Sequence, residues 1–213
     1  RNYLLGLVSG TLAKLSHEFL NPELLLVGFI AVVTKNVYLM ALVGVISKAG
    51  ALAPQLIVGY QLEHHPRKRP YFIRATQARA LAVVGLIATL IAMAVAGEVT
   101  AVHLVGFFGF YLLMCVSGGA GHVIFMDMAG RAIPADRVGK FFGMRHCLGG
   151  VAAAAAGFFV MQPLLSQVQL PLNYVILGII GGTMAIADMT AWSMTREAGE
   201  NGARRRARFV ESL

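Results

Sequence analysis

Residues 37–62 read VYLMALVGVISKAGALAPQLIVGYQL, and Lys48 is the only charged residue among them. A helix that crosses the hydrocarbon core of a membrane needs about 20 mostly apolar residues. We therefore predict that this run is a membrane-spanning helix. The basic segment EHHPRKR follows at residues 63–69, where the chain is predicted to leave the membrane.

Similar apolar runs occur along the rest of the chain and predict an all-α, polytopic membrane protein with six transmembrane helices. The predicted spans cover residues 3–33, 37–62, 71–96, 101–130, 140–165 and 172–194. The first contains Asn21-Pro22, and because proline bends a helix, we expect one bent span rather than two short helices. Residues 1–195 are thus predicted to form a six-helix transmembrane bundle. Residues 196–213 are predicted to be a basic cytoplasmic tail or the start of a central linker.

The composition excludes several other classes of protein. Charged residues make up 13% of the chain, about half the share of a soluble domain, so the chain cannot cover a water-soluble surface with charge. Disorder is excluded because the chain is too hydrophobic. Cys115 and Cys147 both lie in apolar stretches, which argues against a disulfide scaffold.

The basic residues indicate which side of the membrane each loop faces. The net charge is +8, and the positive charges cluster between runs two and three, between runs four and five, and after run six. The positive-inside rule places these segments and both termini in the cytoplasm, so we expect an integral protein of a bacterial inner membrane. Nucleic acid is not an expected partner, because basic and aromatic residues are not interleaved.

An acidic residue followed by basic residues recurs in the two loops between predicted helices that carry positive charge. The two copies lie at the same place in each three-helix unit. Their residues are Gly59, Glu63, Arg67 and Lys68 in the first copy, and Asp136, Arg137, Gly139 and Lys140 in the second.

These residues resemble the loop signature G-x-x-x-D-R-x-G-R-[RK] of the major facilitator superfamily of secondary transporters. In this sequence Gly59 matches, Glu63 takes the place of the aspartate, and Arg67 and Lys68 match the basic pair. The signature is not matched at two positions, His64 and Pro66.

The resemblance implies that the chain is the N-terminal six-helix half of such a transporter, built as a 3+3 inverted repeat. It implies secondary active transport of a small solute by alternating access. A second six-helix half is then a required partner. It would come from a missing C-terminal half, a homodimer or a partner chain.

The loop motif has two interpretations. Its acid can pair with basic residues or with the positive N-terminus of a neighbouring helix, and such a contact can hold one conformation and break in another. These eight residues are therefore predicted to gate transport. The alternative is that their charges only fix the topology.

Ionisable side chains inside the predicted spans indicate a substrate or ion pathway, because they are costly in hydrocarbon. Lys14, His17 and Glu18 share one face of the first helix, and Glu23 lies next to the proline. The first and second helices are joined by a short connection, and Lys48 and Glu23 lie about the same number of residues from it. The two side chains are therefore predicted to lie at the same depth in the membrane. We expect Lys48 to pair with Glu23 or Glu18.

These charges allow two arrangements. They could form internal salt bridges, Lys14–Glu18 and Lys48–Glu23, that hold helices together. In the other arrangement they line a central cavity, which in the family is faced by the first and fourth helices. Two lysines would then suit an anionic solute, and His17 with Glu18 would suit proton coupling, because histidine titrates near neutral pH.

The remaining intramembrane charges are predicted to be structural. Arg145 is expected to form an ion pair with Asp127 or Asp188, which would make its burial tolerable. Arg79 is expected either to extend to the headgroups or to face an inward partner.

The alternative function is a non-transporting structural subunit or assembly factor of a larger membrane complex, because fold does not fix function. The face that carries Lys14, Glu18 and Lys48 discriminates between the two functions. In a transporter it should line a water-accessible cavity, whereas in a scaffold it should be packed shut or covered by a neighbour. Enzyme activity, a metal and a cofactor are not expected, because no catalytic set or ligand cluster is recognisable.

Overall fold

The computed structural model describes residues 2–62, 68–96 and 98–195. Within these ranges the protein is all-α, and six helical segments are long and apolar enough to cross a membrane. We number them spans 1 to 6: Asn2–Thr34, Val37–Leu62, Arg69–Val95, Ala101–Ala132, Ala135–Gln167 and Leu172–Ser193. The predicted spans are confirmed, with ends that differ by a few residues. The chain therefore has the features of an integral membrane protein.

Span 1 is interrupted where the sequence predicted a bend. It consists of an α-helix, Asn2–Phe19, a π-helical turn, Pro22–Leu26, and a second α-helix, Val27–Thr34. Asn21 caps the second part, since its Oδ1 accepts hydrogen bonds of 2.9 and 3.3 Å from backbone N–H groups of the following turn. Such a cap satisfies donors that have no partner at the start of a helix.

Span 5 is also composite. A 3₁₀ turn at Ala135–Arg137 leads into the α-helix Val138–Ala156, and a π-helical turn at Gly157–Met161 precedes the short helix Gln162–Gln167. Single π turns inside longer helices are rare and are often found at functional sites.

Spans 1 and 2 are joined by a tight polar connection. Lys35 closes span 1 in the left-handed conformation, with φ 55°, a common way to end a helix. Asn36 then caps span 2, because its Oδ1 accepts a hydrogen bond of 2.9 Å from the Tyr38 N–H. The connection is therefore short enough to keep the two spans adjacent.

The spans pack in a regular pattern. Span 1 packs against spans 2, 5 and 6, span 4 packs against spans 2 and 3, and span 3 also packs against span 6. Glycine permits the closest approach: Gly119 of span 4 lies against the backbone of Ala51 in span 2, where a Cβ atom would not fit. Small residues serve this purpose in membrane helices generally.

Two apolar clusters form the interior, with a polar layer between them. The larger cluster includes Phe29, Leu86 and Phe107, and the smaller one includes Phe141 and Trp192. In spans 1, 3, 4 and 6, polar residues fall between the stretches that supply the two clusters. These residues are Ser9, Arg79, Ser117 and Asp188.

Candidate functional site

A cavity of about 390 Å³ lies at the level of this polar layer, and spans 1, 3, 4, 5 and 6 all contribute to it. Its ionisable lining is mostly basic, with Asp188 as the acid. The basic and histidine side chains are Lys14, His17, Arg79, His122, Arg145 and His146. The cavity therefore carries an excess of positive charge.

Asp188 is the centre of a hydrogen-bonded network. The Ser9 hydroxyl donates a hydrogen bond of 2.6 Å to Asp188 Oδ1. Arg145 Nη1 donates a hydrogen bond of 2.8 Å to the Gly6 carbonyl and lies 3.4 Å from Ser9 Oγ. Both Arg79 and Arg145 interact electrostatically with Asp188. Among the described residues, however, neither guanidinium group lies within ion-pair distance of a carboxylate. The negative charge of Asp188 therefore balances the two positive charges only partly and from a longer distance.

Arg79 retains hydrogen-bonding capacity. Its Nε is buried and has no hydrogen-bond partner within the described part of the chain. A buried donor without a partner costs free energy, which an acceptor bound in the cavity would recover.

Three glycines make room for the three cations. A Cβ atom on Gly118 would lie 3.0 Å from Arg79 Nη1, and one on Gly149 would lie 2.7 Å from Lys14 Cγ. A Cβ atom on Gly10 would overlap the Arg145 side chain. Each glycine therefore leaves the space in which a charged side chain lies.

The apolar wall of the cavity is aromatic. The rings of Phe125 and Trp192 pack edge to face with centroids 4.7 Å apart, and Phe142 packs against Phe125 at 6.5 Å. Arg145 Cζ lies 4.4 Å from the Phe125 ring centroid, a cation–π geometry. The charged and aromatic parts of the cavity therefore adjoin at Arg145.

A second cavity, of about 270 Å³, lies next to the first between spans 1, 2, 3 and 4. The two cavities share lining residues, among them His17, Arg79 and His122. Its other polar lining residues include Ser47 and Gln55. The two spaces therefore meet at Arg79 and the two histidines.

The structure separates the predicted pathway residues into two groups. Lys14 and His17 line the first cavity, whereas Glu18, Glu23 and Lys48 lie outside the lining of both cavities. The predicted Lys48–Glu23 ion pair is confirmed, with Lys48 Nζ 3.1 Å from Glu23 Oε1. Both side chains are exposed, by 74% and 67%. The alternative Lys14–Glu18 pair is not formed among the described residues.

Neither ion pair suggested for Arg145 is formed among the described residues. Asp127 forms its ion pair with Arg131, one turn further along the same helix, with Arg131 Nε 3.0 Å from Asp127 Oδ2. Arg145 instead interacts with Asp188.

Part of the loop motif lies outside the described residues, namely Glu63 and Arg67, and so does the tail at 196–213. Lys68 is buried, and its Nζ donates a hydrogen bond to the Leu62 carbonyl. In the second copy, Asp136 forms an exposed ion pair with its neighbour Arg137, at 3.6 Å.

The remaining motif residues make few contacts that could hold a conformation. A Cβ atom on Gly59 or Gly139 would have no neighbour within 4 Å, and Lys140 is exposed. The gating role of the eight residues stays a prediction.

Sequence reasoning did not select Ser9, Arg79 or His122 for the site. Arg79 was expected either to extend to the headgroups or to face inward. It faces inward, because its side chain lines both cavities. The Gly118-Gly119-Ala120-Gly121 stretch was the available signal, since it leaves room beside that side chain. Ser9 carried no signal, because a serine in an apolar helix usually bonds to its own backbone.

No protein-family model, curated protein or solved structure matches the chain. Within the described ranges, no group of three or more His, Cys, Asp or Glu side chains is placed to hold a metal ion. The functional argument therefore depends on the geometry of the cavity.

Proposed function

We propose that the chain is a six-helix half of a secondary active transporter, related to the major facilitator superfamily, that moves a small anionic solute by alternating access. One observation carries the proposal: a cavity of about 390 Å³ at the polar layer of the bundle, lined by Lys14, Arg79 and Arg145 against the single carboxylate of Asp188. Charges at this depth are costly and usually mark a pathway. A structural subunit would be expected to pack this space shut.

The packing of the spans supports the 3+3 inverted repeat that the proposal includes. An inverted repeat exchanges spans 1, 2 and 3 with spans 4, 5 and 6, in that order. The contact between spans 1 and 5 then becomes the contact between spans 4 and 2, and the contact between spans 1 and 6 becomes the contact between spans 4 and 3. The contact between spans 3 and 6 is unchanged. All of these contacts occur in the bundle, although within the described ranges the contact between spans 1 and 2 has no counterpart of similar extent between spans 4 and 5. Spans 1 and 4 cross the membrane in opposite directions, so the exchange corresponds to an inverted repeat of the kind found in transporters.

The requirement for a second half is supported by the exposed polar face of the bundle. His17, His122 and His146 are exposed on spans 1, 4 and 5, and the Lys48–Glu23 pair is exposed on spans 1 and 2. Ionisable side chains at this depth are rarely covered by lipid. A second six-helix half would cover this face and enclose the cavity, with His17 as the candidate proton carrier.

Alternating access can be tested without knowledge of the solute, by labelling a cysteine in the cavity. Cys115 and Cys147 are replaced by alanine, and Met126→Cys supplies one thiol, because Met126 lines the cavity and is 45% exposed. Val84→Cys is the matched control, because Val84 is exposed but lies outside both cavity linings.

A membrane-impermeant maleimide is applied to right-side-out and inside-out vesicles that contain the native assembly. We expect labelling of Met126→Cys from both sides and of Val84→Cys from neither. Labelling of Met126→Cys from one side only, or from neither, would contradict alternating access and favour the structural subunit.

A further inference from the structure

We propose that the cavity of about 390 Å³ binds an amphipathic organic acid, with a single carboxylate joined to an apolar, ring-sized body. The inference deepens the proposed function and rests on it for the claim that the ligand is carried across the membrane. The binding itself depends only on the cavity. The charged side chains of the cavity, its aromatic wall, its volume and its other polar groups each limit the kind of ligand that can bind.

The charged end of the cavity suits a carboxylate. Lys14, Arg79 and Arg145 outnumber Asp188, so the cavity gains from one further negative charge. A guanidinium group binds a carboxylate through two parallel hydrogen bonds. Arg79 has donor capacity for this purpose, because its Nε has no partner among the described residues.

The aromatic wall, which adjoins the charged side chains, suits an apolar body. Phe125, Phe142 and Trp192 form a connected aromatic surface, and Met126 also lines the cavity. Arg145 Cζ lies 4.4 Å from the Phe125 ring centroid. A ligand whose carboxylate reaches the arginines therefore places its next few carbon atoms against the aromatic wall.

The volume excludes a small inorganic anion as the best-fitting ligand. An apolar cavity of about 150 Å³ is enough to hold benzene, so 390 Å³ has room for a ring and an acidic group together. Phosphate or sulfate would leave most of the space, including the aromatic wall, filled with water. Burial of that wall by a ligand is favourable in proportion to the apolar area removed from water.

The lining also disfavours a sugar phosphate or another polyhydroxylated anion. Within the described residues the lining includes no Asn, Gln, Thr or Tyr, so its hydrogen-bonding groups are mainly the charged and histidine side chains and the unpartnered Trp192 Nε1. Ser9 lines the cavity, but its hydroxyl already donates to Asp188. The hydroxyl groups of a polyhydroxylated ligand would therefore compete for the side chains that bind its acid, and they would cover the aromatic wall less favourably than an apolar body.

The cavity contains its own reporter, because Trp192 is the only tryptophan in the sequence and lies in the lining. The test titrates the purified full chain in nanodiscs and follows tryptophan fluorescence. The probes are cyclohexylacetate, its neutral counterpart cyclohexylacetamide, succinate, inorganic phosphate and glucose 6-phosphate. The cyclohexyl compounds are chosen because they do not absorb at the excitation wavelength.

We expect cyclohexylacetate to bind at least about tenfold more tightly than the amide, because the charged hydrogen bonds to the arginines are lost in the amide. We expect it to exceed succinate, phosphate and the sugar phosphate by a similar factor. Equal or tighter binding of any of these other probes, or no fluorescence response to cyclohexylacetate, would overturn the inference. This panel uses the unaltered chain, so its result does not depend on the folding of any variant.

A pair of arginine variants then assigns the binding to the cavity. Arg79→Gln should weaken cyclohexylacetate binding about tenfold. Arg74→Gln, on the same span but outside both cavity linings, should leave it unchanged. An equal loss in both variants would show that the acid binds elsewhere and would overturn the assignment.

The inference and the proposed function fail separately. If cyclohexylacetate binds as expected but Met126→Cys is labelled from one side only, the ligand class stands and transport fails. If labelling occurs from both sides but phosphate binds best, transport stands and the ligand class fails.

Discussion

The Ser9 hydroxyl donates a hydrogen bond of 2.6 Å to Asp188 Oδ1, which joins span 1 to span 6 inside the membrane. Arg145 of span 5 lies close to the same pair, at 3.4 Å from Ser9 Oγ. Three spans therefore meet at one polar contact. A hydrogen bond to a charged group inside an apolar bundle is among the stronger single interactions available to the fold.

Ser9→Ala should destabilise the bundle, because it leaves Asp188 without its only short donor among the described residues. The expected loss is about 1–3 kcal/mol, or a fall in the melting temperature of several degrees. Thr11→Val is the matched control, because the Thr11 hydroxyl bonds only to the Leu7 carbonyl of its own helix. Thermal unfolding in detergent measures both, and an equal effect of the two variants would mean that the Ser9–Asp188 bond contributes little.

Asp188→Asn should strengthen anion binding in the cavity. The change removes the negative charge that interacts with Arg79 and Arg145, so a bound anion no longer competes with it. We expect affinity for cyclohexylacetate to rise about tenfold, which corresponds to about 1.4 kcal/mol. Asp127→Asn is the control, because Asp127 pairs with Arg131 outside the cavity lining. Weaker binding by a folded Asp188→Asn chain would indicate that this carboxylate itself contacts the ligand.

Gly119→Ala should destabilise the contact between spans 2 and 4. The added Cβ atom would meet the backbone of Ala51, which cannot move aside as a side chain can, and overpacking of this kind costs about 1–3 kcal/mol. Gly109→Ala on the same span has no neighbour within 4 Å. It should be neutral or slightly stabilising, because alanine is the better helix former. Equal melting temperatures for the two variants would contradict the close approach.

Reversing one charge of the Lys48–Glu23 pair should be harmful, and reversing both should restore the protein. Glu23→Lys or Lys48→Glu places like charges side by side. Repulsion between the like charges should lower the melting temperature by about 2–4 °C or more, because it is stronger at membrane depth than on a water-exposed surface. The double variant should recover the melting temperature in nanodiscs. Failure of the double variant to recover would mean that the two residues act independently.

The architecture was predictable because it depends on hydrophobicity over long windows. All six spans were located from apolar runs, and the break in span 1 was located from Asn21-Pro22. The Lys48–Glu23 pair followed from depth alone, because the short connection between spans 1 and 2 fixes how far each residue lies from the turn.

The composition of the cavity was only partly predictable, because it depends on which spans become neighbours. Lys14 and His17 were found from their shared helical face. Arg79 and Ser9 could not be assigned, since their site exists only when five spans come together around the cavity. The placement of Asp188 beside Ser9 and Arg145 required the same information.

The break in span 1 separates two parts of one helix that have partly different neighbours. The helix Asn2–Phe19 packs against spans 5 and 6, whereas the segment from Pro22–Leu26 onward packs against span 2 and is tied to it by the Lys48–Glu23 pair. Between them, Asn21 caps the second part and belongs to neither helix. The ring of Phe29 in the second part also lies 6.4 Å from that of Phe107 in span 4 and 6.2 Å from that of Tyr174 in span 6. The interruption at Asn21 therefore lets a single membrane span serve as two helices with partly different neighbours.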